Sequence, residues 1–554
     1  MYTEQIREAL LSALASLGIE LAAADIPLEF PADMSHGDYA TGLALRAAKE
    51  AGKSPRALAE ELVATMGIIA GVEKTEVAGP GFINFTLSRE ALSETIVLAK
   101  AEGWGRGNIL LDQEIMFEYT DPNPFKAFHI GHLMSNAIGE SLSRIAGFQG
   151  ADIVRANYQG DVGVHVACAI WGMQTLGIRP ESADEFGRAY AAGATAYKTN
   201  VAAKAEIDAL NQKLYDRSDP ELNTLYDTGR AESLAAFERV YALLGTAFDR
   251  YYFESETAPL GKDIVLAHPE VFAESEGARV FKGEEHGLHT RVFLSGKGLP
   301  TYEAKELGLE TLKQREYPKA RFVVVTANEV TDYFRVVKKV LELIDAPLAA
   351  KLTHIAHGMM KLPTGKMSSR TGDVITGESL LSELAAAARE RATESRAEDP
   401  EALAQQVAVG AIKFQILRGA TGRDIIFDRD QALSLEGDSG PYLQYAFART
   451  QAILAKAREA GVVGKAEIAP EPHVLPRLLL RFPSVAERAA REYAPHHVAQ
   501  YLLELAGAFN SWYAQEQILD GSIHAPHKVA LTDAVGNTLR SGLTLLGIPA
   551  PEKM

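Results

Sequence analysis

The chain has 554 residues and a net charge of −17; 47% of its residues are hydrophobic and 23% are charged. That length exceeds a single core and suggests roughly three to five domains, and the composition is that of an ordinary globular protein. No run approaches the ~18 apolar residues of a membrane helix. The lone cysteine, Cys168, excludes an intrachain disulfide, and the acidic balance argues against a chain-wide surface for polyanions while leaving room for a local basic groove.

The N-terminus carries Glu4 and Glu8 where a signal peptide would have a basic start. It reads instead as an amphipathic helix, with Ile6, Leu10, Leu14 and Leu17 on one stripe. A helix from about Pro55 to Met66 follows, then a strand-like run that breaks at Gly79-Pro80-Gly81 and resumes with Phe82, Ile83 and Phe85. Residues 1–105 form a separate module in this reading, and the glycine-rich stretch near residues 102–108 is a linker. From Ile115 to Thr120 the chain is a short apolar strand, Asp121-Pro122-Asn123-Pro124 a turn, His132 to Phe148 a helix, and Ile153 to Asn157 a second strand. Strand, loop, helix, strand is the opening of a parallel α/β sheet. Cys168 lies in an apolar run and is expected to be buried packing; with no disulfide to form, a cytoplasmic compartment is expected. Residues of about 170 to 290 are expected to be mostly a helical insertion, Ala320 to Thr326 a buried strand, and everything after about Glu378 helical, ending in a bundle.

Two clusters carry chemistry. The first is Phe128-His129-Ile130-Gly131-His132, where a strand end passes through a loop into a helix start. Amides at a helix N-terminus offer donors and partial positive charge to a phosphate. His129 and His132 are three apart and can face one ligand. Gly131 lets a nucleotide approach, and Lys126 adds a cation. Alone, two such histidines would also suit a helix cap, and a zinc site lacks its further ligands nearby. The second cluster is Lys366-Met367-Ser368-Ser369-Arg370, on a polar loop that follows Gly358, Met359 and Met360; 237 positions separate His129 from Lys366. Cations on such a loop suit a charge that develops only in a transition state. Alone, the segment would also read as an exposed basic loop.

Together, in this order, the two segments resemble the HIGH and KMSKS signatures of class I aminoacyl-tRNA synthetases. The string from Phe117 to Glu140, with Pro122-Asn123 and Lys126 ahead of the histidine, resembles the arginyl-tRNA synthetase version. So do Asn157 and Gly160-Asp161-Val162-Gly163. Ser369 stands where most class I enzymes have a second Lys, and Lys126 matches the lysine that compensates in arginyl-type enzymes. The resemblance implies an α/β multidomain protein. A Rossmann-like (HUP) parallel-sheet catalytic domain with a helical insertion would occupy 106–377, followed by a helical stem-contact region over 378–434. A small α+β N-terminal domain (1–105) and an all-α, DALR-type anticodon-binding bundle (435–554) would contact tRNA.

The resemblance also implies the chemistry: ATP-dependent activation of L-arginine and transfer to the 3′ end of tRNA(Arg), with AMP and diphosphate released. ATP would bind through His129, Gly131, His132, Gly358, Met359, Met360, Lys366, Met367 and Ser368, with Mg²⁺ held by the nucleotide and no dedicated protein metal site. His129, His132, Lys126, Lys366 and Arg370 would be catalytic. A guanidinium asks for carboxylates in a planar fork, and Glu118, Asn123, Asp161, Tyr302 and Glu306 are the implied arginine contacts. Glu306 stands where the family usually has Asp, and a Gln expected near Val330 is missing; Glu329 is the alternative partner there, and Glu303 and Glu306 as plain surface residues remain open. Asn84, Tyr445, Arg449, Trp512 and Met554 are the implied tRNA contacts, supplying phosphate partners and stacking platforms. The expected protein is a monomer with no membrane attachment that needs tRNA bound before it activates arginine. Another class I synthetase, or a non-catalytic tRNA-binding paralogue, are the alternatives.

Overall fold

The computed structural model describes residues 2–31, 33–361, 376–391, 397–468 and 473–554. The chain opens with α1 (Tyr2–Ser16), whose stripe of Ile6, Leu10 and Leu14 is fully buried, as its periodicity predicts. Strand β1 (Tyr39–Thr41) and helix α2 (Leu43–Ala47) lead to α3 (Pro55–Met66). Ser54 caps α3 by accepting from the Ala57 amide, and Pro55 takes the first turn, where its missing N–H costs nothing. The broken strand is a hairpin, β2 (Val72–Ala78) and β3 (Phe82–Leu87), and the sheet order is β1-β3-β2, all antiparallel. Helix α4 (Arg89–Ala99) follows. These elements share one core, which includes Ile6, Leu58, Leu62, Ile83 and Phe85.

A second compact unit begins at Arg106. Strand β4 (Glu114–Glu118) is followed by α5 (Ile130–Phe148), β5 (Asp152–Gln159) and α6 (Val164–Leu176), close to the expected elements. Cys168 on α6 is buried among apolar neighbours, as expected. The insertion then supplies α7 (Phe186–Thr199), α8 (Val201–Asp216) and α9 (Pro220–Leu244). Most of the stretch to about residue 290 is helical, as expected, but strands enter beyond this point. Strand β6 (Arg250–Phe253) rejoins the central sheet, and after α10 (Glu254–Ala267) come β7 (Ala273–Ser275), β8 (Ala278–Phe281) and β9 (Arg291–Leu294), an antiparallel sheet of their own. These strands have three or four residues each, too few to show a period of two against charged, turn-rich surroundings.

Next come α11 (Tyr302–Glu316), β10 (Arg321–Ala327), α12 (Thr331–Ile344), α13 (Ala346–Lys351) and β11 (Leu352–His357). The central sheet runs β11-β10-β4-β5-β6 and is parallel throughout. The chain builds it outward from β4 in one direction and then from β10 in the other. The switch point therefore lies between β4 and β10, and the crevice beyond their C-terminal ends is where a parallel sheet binds ligands.

Strand β12 (Met360–Lys361) pairs in parallel with β13 (Ile425–Ile426), a small exception to the all-helical expectation for the C-terminal third. Between and after them lie α14 (Gly377–Arg391), α15 (Pro400–Leu417), α16 (Arg429–Ala432), α17 (Gly440–Glu459), α18 (Val474–Arg491), α19 (His496–Gln515) and α20 (Ala525–Leu545). The compact units do not follow chain order. Arg449–Ser484 and Glu504–Ser541 join the N-terminal residues up to Gly105, where Arg477 pairs with the buried Asp38 at 3.0 Å. Val485–Leu503 and Gly542–Met554 join the second unit, where the buried Lys413 donates to the carbonyls of Leu244 and Gly547. Among the described residues no helix is long and apolar enough to cross a membrane.

Phe322 on β10 is fully buried in the core that carries the sheet. Phe322→Ala is expected to destabilise the second unit by about 3–5 kcal/mol, read as a lower midpoint of its denaturant transition.

Candidate active site

The segment from Thr120 to Phe125 connects β4 to the first histidine and is held in a conformation its residues do not favour. Thr120, Asp121 and Phe125 have φ of 82°, 47° and 63°. Left-handed backbone at residues with a Cβ costs about 1–3 kcal/mol each and persists only where the surroundings over-determine it. Four hydrogen bonds do so. The Thr120 amide donates to Ser135 Oγ at 2.9 Å, Asn136 Nδ2 donates to Thr120 Oγ1 at 3.0 Å, the Tyr158 amide donates to Asp121 Oδ1 at 2.8 Å, and the Phe125 amide donates to Ser233 Oγ at 3.0 Å. Asn123 Oδ1 accepts from the Gly160 amide at 3.0 Å, and a Cβ at Gly160 would sit 2.3 Å from that oxygen. A side chain at Gly160 would displace the Asn123 amide that closes the two loops.

His129 stands at the N-cap of α5 and His132 in its first turn. The His129 amide donates to His132 Nδ1 at 3.1 Å, so the proton of the neutral His132 ring resides on Nε2. The two rings stack with centroids 3.5 Å apart, and a Cβ on Gly131 would come within 3.0 Å of the His129 ring. Burial, then the charge of Lys126, draw His129 down to about 4; burial, His129 and Lys126 put His132 well below its ordinary value. Both rings are neutral at physiological pH. They therefore act as N–H donors rather than cations, at a helix start whose amides also point outward. Lys126 supplies the positive charge, its ammonium 4.6 Å from the Tyr190 ring; burial lowers its pKa, against which Glu254 pulls upward.

The approach to the second motif is tied down. The Gly358 amide donates to the Thr421 carbonyl at 3.0 Å, the Met359 amide to Asp424 Oδ1 at 2.8 Å, and Met360 is buried in β12. Lys366, Met367, Ser368, Ser369 and Arg370 lie outside the described residues. Beyond them, Thr376 bridges His129 and the Gly377 amide donates to the Phe128 carbonyl at 2.7 Å, so the described chain resumes against the first motif.

The end of β4 and α11 bring together a buried acidic cluster. Glu118 ends β4; Glu306 and Glu310 project from α11, and all three are at most 4% exposed. Surface placement of Glu303 and Glu306 is thereby excluded. Glu306 Oε2 accepts from Tyr333 at 3.1 Å, whereas its Oε1 is buried with no hydrogen-bond partner. Burial and the neighbouring Glu118 push Glu306 well above the usual carboxylate range, Lys313 opposing them. Tyr302 is 57% exposed and its hydroxyl faces His165 Nδ1 at 3.5 Å; His165 Nε2 in turn donates to the Gly160 carbonyl at 2.8 Å. Asp161 is fully buried with its oxygens engaged by Arg230, Ser255 and Tyr226. Glu329 is exposed in the turn before α12, apart from the buried carboxylates. Sequence reasoning missed Glu310, Lys313, Tyr333 and His165. The spacing Glu306, Glu310, Lys313 was a usable signal, since residues four and then three apart share one helix face.

The residues implied to touch tRNA are placed as follows. Asn84 lies half-buried on β3, Arg449 pairs with Asn510 at 2.5 Å and lies over the Tyr513 ring, and Tyr445 and Met554 are half-buried. Trp512 departs from its expected part as a stacking platform. Its ring is 8% exposed, packed near His473 and Phe509, because it falls on the core-facing side of α19. Tyr513, one position on, is 40% exposed.

Three family models match the chain: the arginyl tRNA synthetase N terminal domain over residues 4–87, the class I (R) tRNA synthetase catalytic domain over 98–429, and the DALR anticodon binding domain over 443–554. The chain is 31% identical to an arginine–tRNA ligase of Streptococcus suis, covering 99% of each chain, and 30% identical to one of Treponema pallidum, covering 96% of this chain and 95% of that one. A solved arginyl-tRNA synthetase of Thermus thermophilus has a TM-score of 0.83 to it at 27% identity, over the whole of both chains. The chain belongs to the arginyl-tRNA synthetase family. It is accordingly a class I, ATP-using ligase, as the paired motifs imply. The expected architecture of parallel-sheet catalytic domain, small N-terminal domain and helical C-terminal region holds with it.

Ser135 accepts from the Thr120 amide and donates to the Val325 carbonyl at 2.7 Å. Ser135→Ala leaves a buried donor and acceptor unpaired at the strained turn. The synthetase is expected to lose about 1–3 kcal/mol of stability and, below its melting range, a larger share of ATP–diphosphate exchange than of tRNA binding, measured side by side.

Proposed function

We infer that this synthetase activates L-arginine with ATP and transfers it to the 3′ end of tRNA(Arg), using the crevice at the ends of β4 and β10. The observation that carries the reading is the unpartnered, buried Oε1 of Glu306 in a cluster whose three carboxylates exceed its one cation, Lys313, beside a neutral-histidine helix start. A guanidinium is planar, permanently charged and rich in donors, and such a pocket suits it. Asn123 and Tyr302 would complete the arginine site, with Asp161 holding its wall through Arg230 and Ser255.

Arginine's carboxylate oxygen attacks the α-phosphorus of ATP, and the bond to the bridging oxygen breaks. His129 and His132 donate N–H bonds to the phosphoryl oxygens as charge builds, and Gly131 keeps the approach open. Lys126, with Lys366 and Arg370, balances the leaving diphosphate. Gly358, Met359, Met360, Met367 and Ser368 border the nucleotide. The donors described around the start of α5 are imidazoles, amides and an ammonium, so Mg²⁺ would be held by the triphosphate rather than by a protein cage. The terminal ribose hydroxyl of tRNA then attacks the arginyl carbonyl, releasing AMP. Residues 1–105 and 435–554 serve tRNA, with Asn84, Tyr445, Arg449 and Met554 as contacts and Tyr513 as the open ring near Trp512. A cytoplasmic monomer is the working form.

Labelled-arginine charging of tRNA tests the reading; no arginine-dependent charging, or equal charging by another amino acid, would sink it. ATP–diphosphate exchange with and without tRNA tests whether activation waits for tRNA. His132→Ala is expected to lower kcat by roughly 10²–10³-fold, the scale of one lost transition-state donor; a near-parental rate would remove His132 from the chemistry. Burial and Glu118 raise Glu306 above the usual carboxylate range, and a bound guanidinium would lower it again, since an adjacent cation favours the charged carboxylate. Arginine binding is thus expected to release protons and to tighten as pH rises from the usual carboxylate range toward neutrality. Calorimetry in buffers of different ionisation heat checks this, and zero net proton release would contradict it.

A further inference from the structure

Beneath the arginine pocket lies a charge pair to which the reaction gives no part. Lys313, in the last turn of α11, has no exposed surface. Its ammonium is 2.5 Å from Glu118 Oε2 and 2.6 Å from Glu310 Oε1, and Glu310 is fully buried as well. Burying an ammonium is costly unless close anions compensate. Here burial draws Lys313 down, but Glu118, Glu310 and Glu306 more than reverse it, and it stays charged.

Three buried carboxylates thus surround a single ammonium, and the roles of their oxygens differ. Glu310 gives Lys313 its Oε1 and leaves Oε2 unpartnered; Glu118 ion-pairs with Lys313 through Oε2; Glu306 gives one oxygen to Tyr333 and leaves Oε1 free. A glutamate side chain has three rotatable bonds, and a planar fork of donors is met well only by an acceptor whose plane is fixed. Resting on the arginine-pocket reading above, we propose that Lys313 is the positioning residue of that pocket. Anchored by Glu310, its ammonium holds the Glu118 carboxylate by one oxygen, so that the other meets the guanidinium, and its charge allows Glu118 and Glu306 to face the same site. Lys313 touches no substrate; it acts through Glu118. The groups around Glu306 fit this account: Glu118 from β4 and Glu310 from α11 disfavour its charge, Lys313 favours it, and Tyr333 from α12 donates to it.

Steady-state kinetics of three full-length variants test the proposal. Lys313→Met keeps the volume and removes the charge. It is expected to raise KM for arginine by roughly 10- to 100-fold, the scale of a charge-assisted hydrogen bond lost, with KM for ATP within about two-fold. The rise of arginine affinity with pH should also move to higher pH, because Glu306 loses the cation that favours its charge. Since that variant strands two carboxylates, Glu310→Gln combined with Lys313→Met removes one of them. It is expected to fold and to keep the arginine defect, because Glu118 still lacks its holder. Glu306→Gln is the reference for the pocket itself and should raise KM for arginine. A defect in Glu306→Gln with parental KM and pH profile in both Lys313 variants overturns the positioning role alone. Parental KM in all three overturns the pocket reading with it. Parallel rises in KM for arginine and ATP reduce Lys313 to general packing and also overturn the proposal.

Discussion

Ser135 sits on the first turns of α5 and makes two hydrogen bonds, one from the Thr120 amide and one to the Val325 carbonyl. Those bonds join the end of β4, the helix that carries both histidines, and the end of β10. Everything the site needs is measured from that junction. Glu118 is the last residue of β4, the left-handed turn follows it, and the histidines follow the turn. The switch point of a parallel sheet leaves a crevice between two strand ends. It does not by itself hold a turn in unfavourable backbone, and here side chains of α5 and α9 and a backbone amide of β5 do so.

The two halves of the crevice are electrostatic opposites. At the start of α5 the protein places donors: neutral rings, the amides of a helix N-terminus and one lysine. At the base of α11 it places acceptors: buried carboxylates in excess of their one cation. ATP is an anion and arginine a cation at its side chain, and the reaction joins arginine's anionic end to the phosphate. On the proposed reading, donor and acceptor regions separated along one crevice would orient both substrates before any chemistry occurs. Neutral histidines suit the first region because they give hydrogen bonds to phosphate without the cost of burying further charge.

Much of this was legible in the chain itself. The α1 stripe, the Ser54-Pro55 helix start, the Gly79-Pro80-Gly81 hairpin break and the β4–loop–α5–β5 order all depend on local preferences, which a sequence displays directly. The short strands β6 to β9 were not legible, because three or four residues carry no period. The tyrosine and histidine around Tyr302 escaped for another reason: His165, Tyr302 and Tyr333 meet only after three separate segments converge.

The reaction class was legible from the chain alone, since the paired motifs are short local strings that need only be read in order. The state of the charges was set by the fold. Whether a histidine is neutral, whether a glutamate holds a proton and whether a lysine serves substrate or scaffold depend on burial and on neighbours distant in the chain. Lys313 shows this most plainly. It is an unremarked lysine near the end of a charged helix in sequence, and in the fold it is the one cation among three buried carboxylates. The reason is that desolvation and short-range charge pairing act through space, and the sheet that brings β4 against α11 is a long-range construction.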